Sequence, residues 1–280
     1  MAWLHNNNYD RDNAWANKPE HTQLFRTLGD NEEFKQKYIA TTKAIKSKGV
    51  ITIAGGSVYC KTCSAGAEGI EGKKGVVISG GHVRVDAVDD AINSNGPIVV
   101  SGGVVIAESH CNDAIDSNDG GVFAMMPPWG KAAQKDSNSQ QPEKKQEPAF
   151  QISGGQIFAF SHVGMPEEGM DCDFAPFAIS GGTIFTIGAG MGELPSVPSQ
   201  ETAEQPTVVF SGLSIAKDEV LRIYDGNQEI FSMTAPFSFS GSSSLFTCPA
   251  LRKGAEYTLR CSDGERKFTI LDNFSVVRKE

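Results

Sequence analysis

Oxygen-bearing side chains recur in this chain at fixed places around one apolar residue. The copies read Glu68-Gly69-Ile70-Glu71, Asp90-Ala91-Ile92-Asn93, Asp113-Ala114-Ile115-Asp116 and Glu168-Gly169-Met170-Asp171. The residue two before the apolar position is acidic in every copy, and the residue after it is acidic or an amide. The residue three before supplies Ala67, Asp89, Asn112 and Glu167. If the copies stack, each of these positions becomes a column. Carboxylates about 4.8 Å apart repel by roughly 1 kcal/mol per pair even in a water-like dielectric. Ca²⁺ offers compensation, because it takes roughly six to eight oxygens from carboxylates, amides and carbonyls. The alternative is a solvated acidic edge, since Asp and Asn also favour turns through local hydrogen bonds. Glu68, Glu71 and Glu168 are poor turn formers, which favours the ion. Lys43 and Lys46 stand at the matching positions of an earlier copy, so that copy should not contribute a ligand.

The elements that must hold these columns are strands. Each frame is followed by a Gly-Gly pair set among β-branched residues, as in Val76-Val77-Ile78-Ser79-Gly80-Gly81-His82-Val83 and Ile98-Val99-Val100-Ser101-Gly102-Gly103-Val104-Val105. Apolar and polar residues alternate around the glycines with a strand period. The units start at residues 44, 69, 91 and 114, so the steps are 25, 22 and 23. The next start, at 169, is 55 residues on, which implies an insertion of roughly 30 residues in one coil of a solenoid. Two short strands split by Gly-Gly fit a β-helix corner, where glycine permits backbone angles that a Cβ forbids. The competing architecture is a β-sandwich with glycine-rich hairpins, but hairpin turns do not repeat one sequence at fixed spacing.

Composition narrows the function. With 34 acidic and 25 basic residues the net charge is −9, and the basic runs are short, so nucleic acid is not an expected partner. No run of apolar residues is long enough to span a membrane. The start, Met1 to Asn8, has no apolar signal core. A secreted location therefore goes with the chain being a piece of a longer protein. Cys60-Lys61-Thr62-Cys63 has zinc-like spacing but no second such pair. Cys248 and Cys261 lie on two expected strands, either as a disulfide or as two buried thiols.

Three regions follow. Residues 1–40 form an N-terminal helical cap or the tail of an upstream domain, with helical spacing of Leu24, Phe25, Leu28, Phe34, Tyr38 and Ile39. Residues 41–193 form a parallel β-helix with a polar, disordered insertion at 119–148. A Pro/Ser/Glu linker leads to residues 207–280. These read as a small C-terminal antiparallel β module, or as strands folded back along the solenoid, with turn signals at Asp225-Gly226-Asn227 and Ser262-Asp263-Gly264. The expected fold is all-β.

The string from Ala91 to Gly103 and its sister copies resemble the bacterial cell-surface carbohydrate-binding β-helix family, whose members look like pectate lyases in fold. The Asp90-Ala91-Ile92-Asn93 and Asp113-Ala114-Ile115-Asp116 turns carry most of the likeness, and the stretch from Pro249 to Leu259 is similar to that family's C-terminal part. The resemblance covers roughly residues 41–272. It implies a right-handed parallel β-helix, bound Ca²⁺, and affinity for plant polysaccharides such as cellulose or polygalacturonate. Carried over by position, the calcium ligands are Asp89, Asp90, Asn93, Asn112, Asp113, Asp116, Glu168 and Asp171. Residues 20–39 resemble the end of a spore-coat-protein-H-like kinase domain, consistent with a longer parent chain.

The leading expectation is an extracellular or cell-surface, non-catalytic, calcium-dependent polysaccharide-binding module, acting as a monomer or within a multidomain chain. A bound ion would bridge uronate carboxylates to a protein surface of the same sign. The runner-up is a pectate-type polysaccharide lyase, which needs a basic side chain beside the ion; Lys73, Lys74 and Arg84 are the candidates. The third is a structural surface adhesin without sugar affinity.

Overall fold

Alternating β-branched residues on both sides of each glycine pair give long strands that run through the pair. The computed structural model describes residues 42–118, 147–163, 166–172, 175–188 and 195–278. Each coil combines one short and one long strand. The coils are β1 (Lys43–Ser47) with β2 (Val50–Lys61), β3 (Glu68–Gly72) with β4 (Gly75–Ala87), and β5 (Ile92–Ser94) with β6 (Ile98–Ser109). Two more follow: β7 (Ile115–Ser117) with β8 (Phe150–Ser161), and β9 (Met170–Asp171) with β10 (Phe177–Ile187). The short strands form one sheet in the order β1-β3-β5-β7-β9, and the long ones join a second. All pairings between coils are parallel.

Inside the solenoid identical positions stack. Ile70, Ile92, Ile115 and Met170 form one buried row, and Ile78, Val100, Ile152 and Ile179 form another. The insertion does not disturb this register, because Ile115 pairs directly with Met170. The Gly-Gly pair bends a continuous strand rather than dividing two, and the strand register shifts there. Its second glycine has positive φ, as at Gly81 (90°) and Gly103 (86°). A Cβ on Gly103 would sit 2.8 Å from the Gly80 carbonyl carbon, so packing of the coil above demands glycine as well.

The expectation of a helical cap is corrected: the described residues contain no helix, and the fold is an all-β solenoid. The first described residue leads straight into β1, and the strand-forming repeat takes over from there. Residues 1–40, where the cap or upstream tail was expected, lie outside the described residues, as does the insertion between residues 119 and 146.

The C-terminal strands take both of the roles left open by the sequence. Strands β11 (Thr207–Ile215), β14 (Phe239–Thr247) and β17 (Phe274–Val277) extend the long-strand sheet beyond β10. Strands β12 (Val220–Asp225), β13 (Gln228–Thr234), β15 (Glu256–Cys261) and β16 (Gly264–Thr269) form a separate antiparallel sheet. A second apolar cluster lies between that sheet and the solenoid, where Phe231 stacks on Phe158 and Phe185. Cys248 and Cys261 are separate thiols, and burial raises the pKa of both. Cys60 is buried in the solenoid core and Cys63 is exposed, so the CxxC pair does not converge.

Candidate functional site

The acidic frame sits where each coil turns into its short strand. The small residue before the apolar position is required there: a Cβ on Gly69 would meet Val85 Cγ1 at 2.1 Å and the Ala91 carbonyl at 2.5 Å. Parallel ladders then fix the columns. Lys46 aligns with Glu71, Glu71 with Asn93, Asn93 with Asp116, and Asp116 with Asp171. Lys43 aligns with Glu68, while Gly69 N–H donates to the Asp90 carbonyl at 2.9 Å and Ala114 N–H to the Glu168 carbonyl at 3.0 Å. The column Glu68, Asp90, Asp113, Glu168 is therefore real.

Protein groups compensate the two ends of the columns in part, although Glu68 Oε2 is also buried without a hydrogen-bond partner. Lys43 pairs with Glu68, and both Lys46 (2.7 Å) and Lys73 pair with Glu71. At the far end Ser196 donates its N–H to Glu168 and its hydroxyl to Asp171 (3.1 Å).

The middle of the columns is different. Asp90 is 4% exposed, Asp113 8%, Asp116 7% and Asn93 7%. Among the described residues, no basic side chain lies within ion-pair distance of Asp89, Asp90, Asp113 or Glu167. The Asn93 amide donates to Asp90 Oδ2 at 2.7 Å and to Asp116 Oδ2 at 3.1 Å. In the outer row the Asn112 amide donates to Asp89 Oδ1 at 2.9 Å. Asp113 accepts the Glu168 backbone N–H, and Asn118 donates to Asp116. The other oxygen of Asp90, Oδ1, is buried with no hydrogen-bond partner. Burial, and then the charges of Asp89, Asp113 and Glu68, push the Asp90 carboxyl up to about 8, against the Asn93 hydrogen bond that lowers it. Asp113 is likewise pushed up to about 8 by burial and by Asp171, Glu167 and Glu168.

Asp90, Asn93 and Asp116 are oxygen-bearing groups of the kind a hard cation takes, but among the described residues no three carboxylates of this corner converge to within 4.8 Å of one another. Asn93 places an NH₂ group between two carboxylates, where a positive charge is favoured. Turning its amide over would present Oδ1 instead, beside Asp90 and Asp116. An orphaned buried carboxylate oxygen is costly without such a partner. The expected ligands thus divide. Asp90, Asn93 and Asp116 are joined by hydrogen bonds in the buried middle, Asp113 is buried against the Glu168 N–H, Asp89 and Asn112 pair in the outer row, and Glu168 and Asp171 are already engaged by Ser196.

A second constellation was not read from the sequence. Asp86 and Glu108 are register partners at the ends of β4 and β6, and His110 and His162 follow β6 and β8. His110 Nε2 lies 2.7 Å from Asp86 Oδ1, and His162 Nε2 lies 2.7 Å from Glu108 Oε1. The His110 hydrogen bond holds the Asp86 carboxyl well below its usual range. Burial raises Glu108, but His162 more than offsets it. The signal was present, since His110 and His162 occupy the same place after Gly103 and Gly155. It was hidden by the insertion between the two coils.

Of the basic candidates for lyase chemistry, Arg84 lies 3.7 Å from Glu108, and Lys73 serves Glu71. Both are thus engaged by carboxylates.

The fold and this corner define a β-solenoid with stacked acidic turns. Residues 35–116 match the model of a family described as carbohydrate-binding domain-containing protein. The matched stretch ends at Asp116 and so includes Asp90, Asn93, Asp113 and Asp116. No curated protein and no solved structure gives a significant match to the chain.

Proposed function

We propose that this chain is a secreted, non-catalytic polysaccharide-binding module that needs calcium at its acidic corner, with plant cell-wall glycans such as cellulose or polygalacturonate as its targets. The family match supports the carbohydrate-binding role, and it falls on the coils that carry the corner. The observation that supports the calcium requirement is the Asp90 Oδ1, buried without a hydrogen-bond partner while Oδ2 accepts from Asn93. An ion held there would stabilise the ionised carboxylates that burial disfavours. The outer row, Asp89, Asn112 and Glu167, is only half-buried and lies within reach of a uronate carboxylate. The Ca²⁺ would then be shared between the protein and an anionic sugar.

The outer sheet face of the early coils offers a second contact. The C-terminal sheet packs over the later strands, whereas Tyr59 on β2 is 63% exposed and aligned with Arg84 on β4. A ring with an apolar body and a polar tip suits the face of a sugar.

The test is retention of the purified chain on polygalacturonate gel and on insoluble cellulose, with calcium and with chelator. Calcium-dependent retention supports the proposal. Chelator-insensitive retention removes the calcium part, and no retention on either polymer contradicts the binding role. Release of unsaturated uronate, seen by ultraviolet absorbance, would instead support a lyase.

A further inference from the structure

We infer that Glu108, His110 and His162 form a binding site for one transition-metal dication of the Zn²⁺ type, separate from the acidic corner. One ligand atom from each lies within 4.8 Å of the other two. Tetrahedral zinc with ligands at about 2.1 Å brings neighbouring ligand atoms to roughly 3.4 Å, so shifts on the order of 1 Å close the site. The donor set is two imidazoles and one carboxylate, which suits zinc, copper or nickel and not calcium.

The surroundings match what a bound metal needs. Glu108 is 3% exposed, and the His110 and His162 side chains are 7% and 14% exposed. Asp86 accepts from His110 at 2.7 Å, the carboxylate–histidine contact that fixes a ligand's tautomer and strengthens it. The two rings lie 4.4 Å apart, held by backbone bonds that lock their coils together: His110 N–H to the Ala87 carbonyl and His162 N–H to the Ser109 carbonyl. Phe237, from the segment between β13 and β14, stacks on His162 at 3.7 Å and shields it from water. The metal therefore links the ends of the β6 and β8 coils, beside the Phe237 ring. Arg84 opposes it, 3.7 Å from Glu108, but its side chain is 53% exposed and free to swing outward.

The experiment is equilibrium dialysis of the tag-free full chain against Zn²⁺ alone, in excess calcium, with metal content read by mass spectrometry. The expected result is one zinc per chain. His110→Gln and His162→Gln each abolish that uptake, Asp86→Asn weakens it about 10- to 100-fold, and Arg84→Ala tightens it. Asp90→Asn, in the acidic corner, leaves it unchanged, so this site and the calcium site fail or survive separately. Cu²⁺ electron paramagnetic resonance of the wild-type chain gives an independent reading that does not depend on variants folding, with two nitrogen ligands expected. No zinc uptake by the wild type, uptake that persists in the two histidine variants, or a copper spectrum without nitrogen ligands overturns the proposal and leaves two histidine–carboxylate pairs.

Discussion

Asp116 on one coil stands in direct register with Asp171 on the next, although the whole insertion lies between them in the chain. Stacking therefore aligns acidic side chains that the sequence separates, and the same ladder holds Asp90 and Asp113 together in a buried row. Burial and mutual repulsion both oppose ionisation of that row, and a bound ion would offset both. In the corner, Asn93 shows where the positive charge belongs, since its amide already donates to Asp90 and Asp116.

Replacing Asp90 with Asn tests this directly. Burial pushes the Asp90 carboxyl up to about 8 and so favours its neutral form, and the isosteric amide changes stability by less than about 1 kcal/mol. Calcium-dependent stabilisation, in contrast, falls by more than half. Urea unfolding of both proteins with calcium and with chelator separates the two effects.

The pH dependence has a definite sign. Asp90 and Asp113 are raised to about 8 in the folded chain, against an unfolded carboxyl near 4. Between those values the folded state binds more protons than the unfolded one. This pair's contribution to ion-free stability is therefore full below about pH 4 and lost as pH rises through about 8. Calcium requires the ionised form, so its apparent affinity rises over the same window, and binding at neutral pH releases protons. Calorimetry in two buffers of different ionisation enthalpy reads that release.

The glycine pairs differ in what they tolerate. Gly103→Ala combines a φ of 86° with a Cβ 2.8 Å from two backbone atoms of the neighbouring coil. It should destabilise by about 2–5 kcal/mol. Gly56→Ala, on the first coil, has the same φ problem (77°) but nothing within 4 Å, and should cost only about 1–2 kcal/mol. Chemical denaturation of the two variants gives the comparison.

Tyr59→Ala should weaken polysaccharide retention about fivefold, corresponding to ~1 kcal/mol of lost ring contact. The calcium response should be unchanged, because Tyr59 lies on the long-strand face. Affinity electrophoresis in a polymer-containing gel measures the first, and a melting curve the second.

The solenoid was legible because its signal is local and repeated. Ile70, Ile92, Ile115 and Met170 announce the inward row, and the columns beside them follow from a strand's fixed geometry. The small residues at Gly69, Ala91, Ala114 and Gly169 were visible too, though the close approach that excludes a Cβ at Gly69 and Gly169 appears only when coils stack. What the sequence hid depends on contacts between distant segments. Ser196 reaches Glu168 and Asp171 from a stretch read as a linker. Lys73 pairs with Glu71, where a lyase base was weighed. His162 meets Glu108 and His110 only because the coils close up around the insertion. The division of the C-terminal strands between two sheets depends on a cluster of phenylalanines with no repeat to mark it.

The most direct measurement is the thermal unfolding midpoint of the purified chain with excess calcium and with chelator. Saturation at about 100 times the dissociation constant stabilises the folded state by about 2.7 kcal/mol, a rise of roughly 5–10 °C for a chain of this size. That rise should shrink in Asp90→Asn and Asp113→Asn. A midpoint indifferent to calcium, or a rise retained in full by both variants, would mean that no ion occupies the stacked corner.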